Sequence, residues 1–383
     1  MAVRQRAAMS RSGAGEVRDM RAAGGDFAGL RAGSGAVMLA EAGIAVTAQA
    51  GDDAEIRAAL LADDAVDEVR PEFWMFALDA QGQAEDPFVD TASHTWGLEA
   101  VGAARSPFTG AGVRAAVLDT GLDVGHPDWE GRAVLARSFV EGEGAQDGQG
   151  HGTHCAGTVA GRSRGGNVPR YGVAPDADLV VGKVLNNQGS GREGDILQAM
   201  LWAIEEGCAV ISMSLGRAVQ PGEDFSLAYE RLGRLALARG SLIVAAAGNE
   251  SSRRFGSIAP VGAPANSPSI LAVAALDQAL DVAEFSCGGI NGAGGEVNVA
   301  APGVGVFSSV PRPEGYKLLR GTSMACPHVA GVAALWAESD PSLRGRALWD
   351  RLLASARPLP LPARDAGAGL LQAPGADAPP MTS

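Results

Sequence analysis

Five short apolar runs, at 113–118, 179–185, 209–215, 242–247 and 270–276, limit the possible folds more than any other feature. They are almost continuous Val, Ile, Leu and Ala, the pattern of strands buried on both faces. Helical periodicity lies between them, at 195–206 and 226–239. That alternation predicts an α/β fold, with a parallel sheet, right-handed crossovers and helices on both faces. Ligands of such sheets bind outside the carboxyl ends of the strands. The residues that close these runs are therefore the candidates for chemistry. A last helix is expected at about 341–356.

Composition supports a large core and narrows the partners. Hydrophobic residues make up 46% of the 383 and the formal net charge is −13. Such a charge argues against nucleic acid or an anionic membrane as the main partner. No stretch gives about 18 continuous apolar residues, so no membrane-spanning helix is expected. Cys155, Cys208, Cys287 and Cys326 are too few for a disulfide framework, lack CxxC spacing and read as free thiols. Residues 1–35 are rich in Gly, Ala and Arg without a sustained period and read as a flexible basic leader. No apolar h-region follows the arginines, so no secretory signal is expected, and a cytoplasmic location is favoured over leaderless secretion. Residues 36–80 read as a small α+β unit, with a helix at 52–61 between strand-like stretches at 36–48 and 66–78. A polar linker (81–95), the α/β domain (96–374) and a Pro- and Ala-rich tail (375–383) complete the chain.

Three segments carry reactive groups. AAVLDTGLDVGHPD at 115–128 puts Asp119 where a buried strand runs into a glycine turn. In GHGTHCAGTVAG at 150–161, His151 sits between two glycines at the start of a helical pattern. GTSMACPHVAG at 321–331 opens a helix of small residues, with Ser323 at its start. Singly, these are a turn aspartate, a surface histidine and a helix cap. Jointly they make a relay, because serine is a weak nucleophile until an imidazole takes its proton, and a carboxylate fixes the imidazole tautomer. With Ser323 as N-cap, Pro327 falls in the first turn, where N–H groups have no intrahelical partner. The positive end of the helix then points where an oxyanion forms. The run LIVAAAGNE at 242–250 ends in Gly248 and Asn249, and the Asn249 amide is a candidate donor to that oxyanion.

DTG at Asp119, GHGTHCAGT around His151, SMSLG at 212–216, AAAGN ending at Asn249 and GTSMACPHVAG around Ser323 resemble the subtilisin family of serine proteases, the subtilases. The resemblance runs from about Trp96 to about Gln372. It implies a serine endopeptidase that works through an acyl-enzyme on protein or peptide substrates and requires no cofactor. Asp119, His151 and Ser323 would form the triad, Asn249 would be the oxyanion donor, and Thr322 would support Asn249. Gly189, Ser190 and Gly191 would clamp an extended substrate on one side, and Ser214, Leu215 and Gly216 on the other. Gly248 belongs to the same site, and Pro264 matches a position with a cis peptide bond. Gly262 would leave a deep pocket for a large apolar residue just before the scissile bond. Glu193 stands two positions after GSG, where the family often has an aromatic residue. As a carboxylate on the rim of an upstream pocket, it would favour a basic substrate side chain. The small N-terminal unit resembles a shortened subtilase prodomain, which implies intramolecular inhibition and autoprocessing. The first strand and helix of such a prodomain are not evident.

Other readings carry less. A non-catalytic subtilase scaffold used for binding is the main alternative, but every triad residue is present. His151, His154 and Cys155 suggest zinc, yet there is no HExxH and the resemblance explains both histidines without metal. GSGREG at 189–194 is a literal GxGxxG, but Asn186, Asn187 and Gln188 separate it from the apolar run, so the tight turn of a dinucleotide site is missing. Asp128 matches a family calcium position, against which the three arginines of 161–170 argue. Asp277 matches a weaker ion position.

Overall fold

Each of the five apolar runs becomes a strand of one parallel sheet. The computed structural model describes residues 16–20, 37–47, 61, 66–78, 88–163, 168–292 and 294–375. The N-terminal unit contributes β1 (Glu16–Met20), β2 (Val37–Leu39), β3 (Ile44–Thr47), β4 (Val66–Pro71) and β5 (Trp74–Ala77). Then follow α1 (Trp96–Ala100), β6 (Arg114–Asp119), β7 (Leu135–Ser138), α2 (His151–Ala160), β8 (Asp178–Lys183), β9 (Ser190–Arg192) and α3 (Glu193–Glu205). Next come β10 (Val210–Met213), β11 (Leu215–Gly216), α4 (Leu227–Ala238), β12 (Leu242–Ala246), β13 (Leu271–Leu276) and β14 (Val299–Pro302). A hairpin of β15 (Val306–Ser309) and β16 (Tyr316–Leu319) precedes α5 (Thr322–Ser339) and α6 (Gly345–Ser355).

The main sheet has seven strands in the order β14-β13-β12-β10-β6-β8-β7, and every pairing in it is parallel. Every residue of β10, β12 and β13 is buried, as the unbroken apolar runs require. The two outermost strands escape the sequence pattern. Edge strand β7 is LARS, alternating exposed and half-buried, and β14 is only VAAP. Helix α5 crosses β10, β12 and β13. Its approach to the neighbouring loop depends on Gly331, where a Cβ would stand 2.5 Å from the Val173 Cβ.

The N-terminal unit forms a four-stranded sheet, β2-β3-β1-β4, with β1 antiparallel to both neighbours. Strand β1 lies inside 1–35, so the expected leader supplies part of the unit. The helix expected at 52–61 lies, apart from residue 61, outside the described residues. The unit rests on α4 through Arg231 to Asp67 (2.5 Å) and Arg239 to Glu41 (2.8 Å). It also donates β5 to a second sheet, β11-β5-β9, both of whose pairings are antiparallel.

Candidate active site

Strand β6 ends at Asp119 in the middle of the main sheet, with its carboxylate fully buried. The Thr120 N–H donates to Asp119 Oδ1 at 2.7 Å. Helix α2 opens at His151 beside it, and a second buried carboxylate fixes that helix. Asp147 accepts the N–H groups of Gln149, Gly150 and Thr153 at 2.8–2.9 Å and the hydroxyls of Thr120 and Thr153 at 2.9 and 2.7 Å. The Thr120 hydroxyl in turn accepts the Gly152 N–H at 2.8 Å. His151 Nδ1 thus lies 2.8 and 3.0 Å from the two Asp119 oxygens. Asp147 belongs to none of the sequence motifs, and its one sequence signal is that of an aspartate just ahead of a helical pattern.

Burial alone would lower the His151 pKa, but the charge and hydrogen bond of Asp119 lift it well above the ordinary imidazole value. A general base works only when neutral. Peptidase activity should therefore fall on the acid side through an inflection above about 6.5, the unperturbed imidazole value. A pH profile of kcat/KM with its inflection at or below that value would refute this account.

Ser323 is the second residue of α5, and the cap is Gly321 rather than Ser323. Pro327 consequently lies beyond the first turn, where it removes a helical hydrogen bond to the Ser323 carbonyl. That carbonyl finds other donors, the Ser214 hydroxyl at 2.8 Å and the Cys155 thiol at 3.5 Å. The Ser323 hydroxyl rests on the Ser214 carbonyl at 3.0 Å. Cys155 also approaches His151, but burial pushes its thiol up to about 11, so it stays protonated. All four cysteines are free and buried.

Strand β12 leads through Gly248 to Asn249. Gly248 has φ 113°, and a Cβ there would meet the Glu250 carboxylate at 2.7 Å and the Cys287 sulfur at 2.9 Å. Thr322 orients the Asn249 amide, donating its N–H and its hydroxyl to Oδ1 at 2.9 Å each. The free end of the amide, Nδ2, donates to the carbonyl of Leu78 at 2.9 Å.

Leu78 follows directly on β5, and β5 occupies the groove between the two expected clamp segments. Met75 faces Gly191 and Phe76 faces Ser190, while Phe76 and Ala77 face Gly216 and Leu215. The Ala77 N–H donates to the Gly189 carbonyl at 3.1 Å. The Leu78 side chain lies 3.4 Å from where a Gly216 Cβ would stand. Gly262 adjoins this wall, for a Cβ there would lie 2.6 Å from the Arg217 carbonyl. The bond between Ala263 and Pro264 is cis.

Glu193 differs from expectation. Its carboxylate is not on an open rim but fully buried, where it receives both terminal nitrogens of Arg70 at 2.7 and 2.8 Å. The partner comes from β4 of the N-terminal unit, 123 residues upstream.

The sequence model of the Subtilase family matches residues 110–373. The chain belongs to that family. Subtilisin DY of Bacillus licheniformis is 42% identical over 250 residues, which are 65% of this chain and 85% of that protein. Subtilisin E of Bacillus subtilis is 42% identical over 251 residues, 65% of this chain and 61% of that longer protein. The alkaline elastase YaB of a Bacillus strain is 44% identical over 251 residues, 64% of this chain and 61% of the elastase. This subtilase is a serine endopeptidase.

The family's calcium position does not fit an ion here. Calcium takes six to eight oxygen ligands, whereas Asp128 is enclosed by phenol donors. Tyr316 Oη lies 3.0 and 3.1 Å from its two oxygens, and Tyr171 donates to one of them. Burial and the Asp128 charge both push these phenols upward, so they remain protonated donors. Asp277 spends Oδ1 on the N–H groups of Ala279 and Asp281. Asp119, His151 and Cys155 bring three ligand atoms together, but two of these residues are already engaged with each other. His154 turns away, with Nε2 on the Val306 and Lys317 carbonyls.

Proposed function

We propose that this subtilase cleaves its own chain between Leu78 and Asp79, and that the N-terminal unit stays in the groove as an inhibitor until it is released. The observation that carries the reading is the Leu78 carbonyl, 2.9 Å from Asn249 Nδ2 at the end of a strand paired on both sides. A substrate bound by strand addition gains affinity from main-chain hydrogen bonds and selectivity from the side-chain pockets. Leu78 is then the residue before the scissile bond, in keeping with a pocket for large apolar side chains bounded by Gly216 and Gly262.

Asp119 accepts from His151 Nδ1 and so leaves Nε2 as the base. Nε2 takes the Ser323 proton as Oγ attacks the Leu78 carbonyl carbon. Asn249 Nδ2 and the Ser323 N–H hold the resulting oxyanion. When the peptide C–N bond breaks, His151 returns the proton to the Asp79 nitrogen. Water then releases the acyl group by the same route. The chain supplies the nucleophile, the base and the oxyanion donors, so the reaction needs no cofactor.

The purified wild-type enzyme should begin at Asp79, and Ser323→Ala should keep residues 1–78 attached. N-terminal sequencing of both reads the result directly. A wild type that cleaves peptides while its own chain stays uncut would overturn the reading.

A further inference from the structure

The relay makes no use of Lys183, which closes β8 and is fully buried in the main sheet. An ammonium has three N–H donors and no acceptor. Here it meets three acceptors: the Thr120 carbonyl at 2.5 Å, Asn187 Oδ1 at 2.9 Å and the Glu143 carboxylate at 3.2 Å. A buried ion pair commonly adds no stability over apolar side chains of the same volume. Stability alone therefore does not account for a lysine in this strand.

The three acceptors lie on three segments that run into the active site. Thr120 follows Asp119, and Asp119 is paired with Lys183 in the register of β6 and β8. The Asp119 carbonyl accepts the N–H groups of Val184 and Leu185 at 2.8 and 3.1 Å, and the Thr120 carbonyl accepts the ammonium. The backbone on both sides of the Thr120 α-carbon is thus fixed from β8. That backbone aims the Thr120 N–H, which holds Asp119 Oδ1.

Asn187 lies in the loop between β8 and β9, and its Oδ1 also accepts the Gly148 N–H at 3.0 Å. Gly148 follows Asp147, the carboxylate that fixes the start of α2, and stands three positions ahead of His151. Glu143 lies on the segment from β7 to α2 and accepts the Asn187 N–H at 3.2 Å. The ammonium therefore sits where the turn after Asp119, the approach to His151 and the approach to clamp strand β9 meet. We propose that Lys183 is a positioning residue for the triad: through the Thr120 carbonyl it aims the Asp119 carboxylate, and through Asn187 it ties the start of α2 to the same point, so that Asp119 and His151 keep their separation.

The test compares wild type, Lys183→Met and Asn187→Ala on one peptide with leucine before the scissile bond. Active sites are titrated with a fluorophosphonate, so a poorly folding variant changes the amount of enzyme but not the rate per site. Lys183→Met keeps the length of the side chain and removes all three donors. Its kcat should fall about a hundredfold with KM within about twofold, as expected of a small misplacement of catalytic groups. Asn187 is exposed, so Asn187→Ala leaves the core intact. It breaks only the link to Gly148 and should cost about tenfold in kcat. The pH profile separates positioning from mere stability. Burial lowers the His151 pKa and the Asp119 charge lifts it above the ordinary value, while the neighbouring Cys155 thiol stays protonated. A carboxylate that drifts from Nδ1 lifts it less, so the acid-side inflection of kcat/KM should move down in both variants. A lower melting temperature with wild-type kcat and inflection would overturn the proposal. So would a loss of kcat at an unmoved inflection. If Lys183→Met gives no titratable sites, Asn187→Ala decides alone, and wild-type behaviour in it overturns the proposal. None of these readouts depends on where the chain cuts itself.

Discussion

Replacing Ser323 or His151 with alanine should lower turnover about a million-fold, and the double variant should lose little more. The size is that known for subtilisin itself and is carried over to this relative. The shape of the result follows from the relay. Without His151 the Ser323 hydroxyl has no base and remains a poor nucleophile. Without Ser323 the imidazole has no proton to take. Each change removes the same step, worth about 8 kcal/mol at a million-fold, so the step cannot be lost twice. The oxyanion donors and the groove survive both changes and supply the residual activity. Single-turnover rates on titrated enzyme, measured for both single variants and the double, decide the matter. Multiplicative losses would mean that Ser323 and His151 act independently.

The catalytic half of this chain was legible because burial on both faces leaves an unmistakable apolar run. The same argument pointed to the ends of those runs, where Asp119 and Asn249 stand. What escaped depends on exposure or on distance in sequence. Strand β7 carries Arg137 on an edge with one open side, so its apolar content is low. Strand β1 lies in an Arg- and Gly-rich stretch and owes its place to pairing with β3 and β4. Helix α5 starts two residues earlier than its sequence pattern predicts, because the Ser214 hydroxyl, 109 positions upstream, satisfies the carbonyl that Pro327 leaves open. Glu193 shows the limit most plainly. Its place after GSG suggested an open rim, and nothing near it in sequence reveals that Arg70 closes over it.

Asn249→Ala should lower kcat about 10²–10³-fold with KM nearly unchanged, a magnitude taken from the corresponding substitution in subtilisin. The geometry explains why the loss belongs in kcat. Asn249 Oδ1 is fixed by two donors from Thr322, so Nδ2 is aimed before the substrate arrives and needs no reorganisation during the reaction. At 2.9 Å its bond to the Leu78 carbonyl is ordinary. It strengthens only as that oxygen gains charge, and an interaction stronger in the transition state than in the ground state raises kcat rather than lowering KM. Asn249→Asp keeps the shape but puts a carboxylate where the oxyanion forms, so it should be at least as damaging as alanine. Thr322→Val keeps Nδ2 and the main-chain donor but removes the hydroxyl from Oδ1, so one bond rather than two holds the amide, and it should cost about tenfold, near the value of a single hydrogen bond. Separate kcat and KM values for the three variants test the order. A loss confined to KM in Asn249→Ala would place Asn249 in substrate binding alone. A Thr322→Val enzyme as slow as Asn249→Ala would make the orientation of the amide, rather than its presence, the larger part of the effect.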